Sequence, residues 1–157
     1  MGLVIEIVTA LRNIRGEMNI PPGEQMDVLL HPKRKEVKER LLSDQHFIQN
    51  LAKVKSLKIF EEMEKPAYSA FAVVQDVEIF VPMDRSKMEE EAKRLQKEIV
   101  KIGKEIAFVG DKLSNEKFLS KAPPDVVQEE REKAVRYQAL RGKLEENLRK
   151  IEEALSS

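Results

Sequence analysis

Arg94, Lys97, Lys101 and Lys104 recur at steps of three, four and three residues, the spacing that stacks side chains on one face of an α-helix. Four cations in such a row can follow a phosphate backbone, with an affinity that depends on counterion release and therefore on salt. Glu91, Glu98 and Glu105 repeat every seven residues along a separate line, so the two signs are sorted by face. The same sorting also suits a solvated coiled-coil flank, where Lys and Glu form weak pairs and keep the helix soluble. Other cations invite the same two readings. Arg12 and Arg15 lie three apart in "LRNIRGEMNIPPG", and Lys117 and Lys121 bracket Phe118 in "KLSNEKFLSKAPPDVV". The Phe118 ring can stack on a nucleobase or close the end of an apolar seam. Lys33, Arg34, Lys35 and Lys38 in "HPKRKEVK" gather where a helix should start; there they oppose the helix dipole unless an anion is near.

Catalytic chemistry finds little support. His31 and His46 are 15 residues apart and lack the spacing of a metal pair on one helix face. The six glycines are scattered, and "PPGEQM" has neither a following Lys-Ser/Thr nor a preceding strand, so no phosphate loop is present. The carboxylates sit on helix flanks, where water keeps them ordinary acids rather than a tuned acid/base pair. No catalytic residue, metal ligand or cofactor-binding residue is expected.

The surroundings of the stripe narrow the class further. The chain has 157 residues, enough for one ordinary domain or two small ones. Its 28 basic and 28 acidic residues cancel, 36% of residues are charged and only 5% are aromatic, which points to long exposed helices rather than a thick core. With no net field, nucleic-acid binding has to come from local patterning. The absence of Cys removes disulfides, thiolate zinc sites and thiol nucleophiles and fits a reducing, cytoplasmic setting. "MGLVIE" has Glu6 where a myristoylation signal wants Ser or Thr, and no apolar run approaches membrane-spanning length.

Two textures position these residues. Through residue 83 the pattern is mixed. Val4, Val8, Leu11 and Met18, with Ile7 and Ile14, mark an amphipathic helix that Pro21 and Pro22 stop. "QMDVLL" alternates as a strand. Pro32 suits the first turn of a helix to about Leu42, and a second, shorter helix follows with Ser43 or Asp44 as its cap. "SLKIFE", "SAFAVV" and "VEIFVP" then read as strands, the last two joined near Gln75 and Asp76. From about Ser86 a heptad seam takes over: Met88, Ala92, Leu95, Ile99, Ile102, Ile106, Val109 and Leu113. A second seam of Val127, Ala134, Tyr137, Leu144, Leu148, Ile151 and Leu155 carries two polar interruptions, Glu130 and Arg141. Two helices of similar length, each roughly 40 Å at about 1.5 Å per residue, can bury their stripes against each other if the chain reverses between them. In "KLSNEKFLSKAPPDVV", Ser114 or Asn115 can cap a short helical turn, and Pro123 and Pro124 exclude a continuous helix. An antiparallel hairpin follows, with Glu105 expected near Lys133; the rival is a coiled coil between chains. The expected fold class is α+β: a small mixed αβ module with a three-stranded sheet, followed by a long antiparallel two-helix coiled-coil hairpin.

Three passages resemble the C-terminal region of the valyl-tRNA synthetase family of class I aminoacyl-tRNA synthetases. "LRNIRGEMNIPPG" looks like the end of the anticodon-binding helical domain, "VEIFVPM" like the last strand before the terminal arm, and "KLSNEKFLSKAPPDVVQEEREK" like the family's hairpin turn. The resemblance implies residues 1–20 as a terminal helix of that helical domain, 21–84 as the αβ module and 85–157 as a coiled-coil tRNA-binding arm with its turn at about 114–125. It also implies contact with the tRNA elbow, valine-accepting tRNA and the parent's other domains as partners, and ATP with magnesium as the parent's cofactors rather than this stretch's; the closed hairpin, for its part, leads one to expect a monomer. Signatures of the HIGH and KMSKS kind are absent from the sequence, so this stretch is not expected to aminoacylate by itself. The Leu11 helix is then expected to expose an apolar face that a missing bundle would cover. Where the family leads one to expect a glycine turn, "VVQDVE" stands instead, implying a looser or different hairpin. Gly103 and Gly110 invite a bend in the first long helix. The alternative function is a coiled-coil interaction or dimerisation module without RNA binding.

Overall fold

The computed structural model describes residues 2–62, 66 and 68–156. They form two compact units, Met1–Glu91 with Lys150–Ser157, and Ala92–Arg149.

In the first unit, α1 (Gly2–Glu17) buries Leu3, Val4, Ile7, Val8, Leu11 and Ile14 along one stripe. This corrects the expectation of an apolar face left open, because α1 packs on α2 (Lys35–Ala52) and on β3 (Ser69–Val74). Its stop also differs in mechanism. Asn19 takes a left-handed φ of 54°, the Ile20 amide donates to Arg15 O at 2.9 Å and the Asn19 amide to Gly16 O at 3.3 Å. That is a Schellman motif, with Pro21 and Pro22 following the stop rather than making it.

The sheet has four strands rather than three, in the order β2-β1-β4-β3. Strand β1 (Met26–Pro32) lies inside it, parallel to β2 (Val54–Ile59) and antiparallel to β4 (Val77–Pro82). The reason lies in β1 itself: Met26, Val28, Leu30 and Pro32 are buried and the intervening Leu29 and His31 are half-buried, so both strand edges need neighbours. Leu30 pairs with Ile59 on one side and with Ile79 on the other. Between β3 and β4 the turn is tight, since Val74 pairs with Val77 and only Gln75 and Asp76 intervene. Gln75 adopts the left-handed φ of 52° that a glycine would otherwise supply, and its Nε2 donates to Glu6 Oε2 at 2.6 Å.

Helix α2 is one helix, not two. It begins at Lys35 after Arg34, while Pro32 closes β1, and it runs through Ser43 and Asp44 without a cap. Nothing between Leu41 and Ile48 breaks it, and these two, seven residues apart, lie buried on the same face with Ala52. Lys53 ends it in a left-handed conformation, φ 53° and ψ 56°.

Helix α3 (Arg85–Ser114) starts from Asp84, whose Oδ1 accepts from the Ser86 amide at 2.9 Å and the Ser86 hydroxyl at 3.0 Å. These two bonds hold the Asp84 carboxyl below the usual carboxylate range. The helix passes through Gly103 and Gly110 unbroken. Between α3 and α5 (Pro124–Ser156) sits a third helical piece, α4 (Glu116–Lys121), so the expected two-helix hairpin is two long helices with a short one at the reversal. Asn115 is the α4 cap, accepting from the Lys117 amide at 3.0 Å and the Phe118 amide at 3.4 Å, whereas the Ser114 hydroxyl donates back to Asp111 O. Pro124 occupies the first position of α5, where its missing amide costs nothing.

Candidate nucleic-acid interface

In the second unit the two seams do what their spacing demands. Ala92, Leu95, Ile102 and Val109 of α3 and Leu144 of α5 are buried, and the other seam members are half-buried. Near the reversal, Lys112 Nζ of α3 lies 3.7 Å from Glu130 Oε1 of α5. Glu130 is only 7% exposed. Lys133, one turn on, also reaches Oε1 at 3.3 Å, so Lys133 takes its own helix's carboxylate rather than Glu105. The second oxygen, Oε2, is buried without a partner. Arg141, the other polar seam member, is half-buried and turns to Gln138 at 2.8 Å and Glu145 at 3.7 Å.

Burying the seam leaves the opposite face of α3 in solvent. Lys97, Lys101 and Lys104 are exposed there, and Arg94 is half-buried, with its guanidinium on Glu98. The stripe read from spacing is therefore a physical lane of cations on one helix face. Lys117 and Lys121 are exposed on α4 with Phe118 half-buried between them. No residue of α4 is buried, and Leu119 is 36% exposed, so the seam has only a partial lid at that end.

Arg12 and Arg15 belong to the first unit and are otherwise engaged. Arg15 donates through Nη1 to Pro21 O at 2.9 Å and Glu24 O at 2.6 Å, and through Nη2 to Ala52 O at 3.1 Å and Lys53 O at 3.3 Å. Arg12 Nη2 reaches Leu51 O at 3.4 Å. In the HPKRKEVK cluster, Arg34 pairs with Asp76 at 3.0 Å and Lys38 with Glu61 at 3.1 Å. His31 Nδ1 lies 3.1 Å from Phe60 O, and His46 stacks on Phe47 with ring centroids 4.5 Å apart. Among the described residues no group of three or more His, Asp or Glu is placed to hold a metal ion, and no helix is long and apolar enough to cross a membrane.

Sequence reasoning missed Phe108. It is 58% exposed, four residues beyond Lys104 and seven beyond Lys101, hence on the cationic face. The signal was an aromatic at an outer heptad position. Also missed was an open hollow of about 370 Å³ on α5, lined by Gln128, Arg131, Glu132, Val135 and Arg136.

Residues 87–152 match the family model described as the valyl tRNA synthetase tRNA binding arm. Over 152 residues, 96% of the chain, it is 40% identical to the valine–tRNA ligase of Geobacter sulfurreducens and 36% identical to that of Syntrophotalea carbinolica. The valine–tRNA ligase of Bacillus subtilis is 34% identical over the same share. In each case the chain spans 17% of the relative's length. The chain is thus similar over nearly all of its length to a segment of the valine–tRNA ligases, and its residues 87–152 are similar to the valyl tRNA synthetase tRNA binding arm.

Proposed function

We propose that the chain is the tRNA-binding part of a valine–tRNA ligase and that the α3 lane, Arg94, Lys97, Lys101 and Lys104, contacts the phosphate backbone at the tRNA elbow. The observation that carries this reading is the coincidence of an exposed cationic face with a helix pair matched to a tRNA-binding arm. Lys117 and Lys121 extend the cationic surface to the reversal. Phosphate contacts orient a nucleic acid without reading its bases, so selection of valine tRNA falls to other parts of the parent enzyme. Activation of valine with ATP and magnesium falls there too, and the setting is the cytoplasm. Arg12 and Arg15 enter only as rim contacts, since Arg15 already serves four carbonyls.

The test is fluorescence-detected binding of the chain to valine tRNA and to a noncognate tRNA across salt concentrations. Binding to both should fall linearly in log–log form, by about 0.7 to 0.9 units of slope per phosphate contact. Changing Arg94, Lys97, Lys101 and Lys104 together to Gln should weaken both tRNAs alike and flatten the slope by up to about three units. In the parent enzyme the same change should raise the KM for tRNA and leave amino-acid activation untouched. An unchanged slope and an unchanged KM would overturn the reading.

A further inference from the structure

Phe108 takes no part in the seam, and its one ring contact is with the Lys112 ammonium. Its neighbour Val109 fills the seam at 3% exposure, whereas Phe108 is the most exposed of the six phenylalanines, at 58% against 47% for Phe71 and 43% for Phe47. A single exposed apolar side chain is ordinary, so what sets Phe108 apart is its setting. Cations stand near it along the helix, with Glu105 three residues before it and Asp111 three residues after. Lys104 and Lys101 precede it by about 6 Å and 10 Å of axial rise, and Lys112 Nζ stands 4.7 Å from the ring centroid. Asp111, exposed and three residues beyond, ends the cationic lane on that side. A protein partner's apolar patch would leave the lysines without counter-charges. An RNA strand satisfies both features, because every base offers a π-face to the ring and every nucleotide a phosphate to a lysine.

We propose that Phe108 is the base-contacting side chain of this arm: its exposed ring stacks on an unpaired nucleobase of the bound tRNA while Lys101 and Lys104 hold phosphates of the same strand. The proposal rests on the tRNA-binding reading above and adds a contact to it that is aromatic rather than electrostatic. It follows that the strand's phosphates lie toward Lys101 and away from Asp111.

The chain contains no Trp, so Phe108→Trp supplies a single indole reporter at the site. The full 157-residue chain is titrated with valine tRNA, with an RNA stem–loop and with a blunt duplex of the same stem. Phe108→Ala should weaken tRNA and stem–loop binding by between about fivefold and a hundredfold, leave the salt slope unchanged and leave the unfolding temperature unchanged. Phe108→Trp should keep the affinity, and its fluorescence should be quenched by tRNA and stem–loop but not by the blunt duplex. Lys101→Gln with Lys104→Gln should also weaken binding but, unlike Phe108→Ala, flatten the slope. If the unaltered chain binds tRNA but Phe108→Ala matches it and the indole stays unquenched, the stacking proposal fails and the phosphate reading stands. If the unaltered chain binds none of the RNAs at low salt, both fall.

Discussion

Arg15 turns four backbone carbonyls from three places in the chain into one junction. The Schellman stop after Glu17 leaves the Pro21–Glu24 carbonyls facing back toward α1, and the left-handed Lys53 turns the end of α2 so that the Ala52 and Lys53 carbonyls face the same guanidinium. Lys53 Nζ adds a bond to Pro22 O at 3.0 Å. A planar fork with five donors suits this task, and an ammonium does not. Hydrogen bonds to a charged group contribute about 1.5 to 3 kcal/mol, so Arg15→Ala should destabilise the chain by about that much. Arg15→Lys should recover less than half of the loss. Denaturant unfolding of the two variants checks both figures, and equal stability of Arg15→Ala and the unaltered chain would show that water replaces the guanidinium.

At the scale of elements, the α3–α5 pair carries one buried polar residue in its seam. Glu130 sits where the heptad calls for an apolar side chain, is 7% exposed and leaves Oε2 without a partner. Its two cations are better placed for water: the Lys112 and Lys133 side chains are 37% and 41% exposed. Replacing a buried ion pair by an apolar residue of similar volume is often stabilising, and here the cations left behind can hydrate. Glu130→Leu should therefore stabilise the chain by about 1 to 2 kcal/mol, read as a rise in unfolding temperature of a few degrees. A drop would mean that the carboxylate selects the register of the two helices, as single polar residues do at other coiled-coil seams.

At the scale of the molecule, the central apolar side chains of the long helices are buried within one chain. Leu95, Ile102, Val109, Leu144 and Ile151 are at most 9% exposed, and we propose that the chain stays a monomer. Sedimentation at several concentrations should show one species whose size does not change. A dimer that grows with concentration would favour the interaction-module reading and would place the lane Lys97–Lys101–Lys104 on the outside of an assembly.

The long helices, their seams and the cationic lane were legible in the sequence because all three depend on residues three, four or seven apart, a distance the backbone geometry of a helix sets locally. The reversal was legible for the same kind of reason: Pro123, Pro124 and a capping Asn115 act on their nearest neighbours. What only the tertiary structure decided depends on residues far apart in the chain. Strand β1 joined the sheet because Leu30 meets Ile59 and Ile79, pairings that no local period encodes. Ser43 and Asp44 look like caps in isolation, yet the buried face of Leu41, Ile48 and Ala52 carries α2 through them. Arg15 looked like a free cation until the turns after α1 and α2 aimed carbonyls at it. Phe108 became conspicuous only when Val109 took the seam and left its neighbour's ring in water. Local periodicity determined which faces the helices have; long-range packing decided which of those faces stay open.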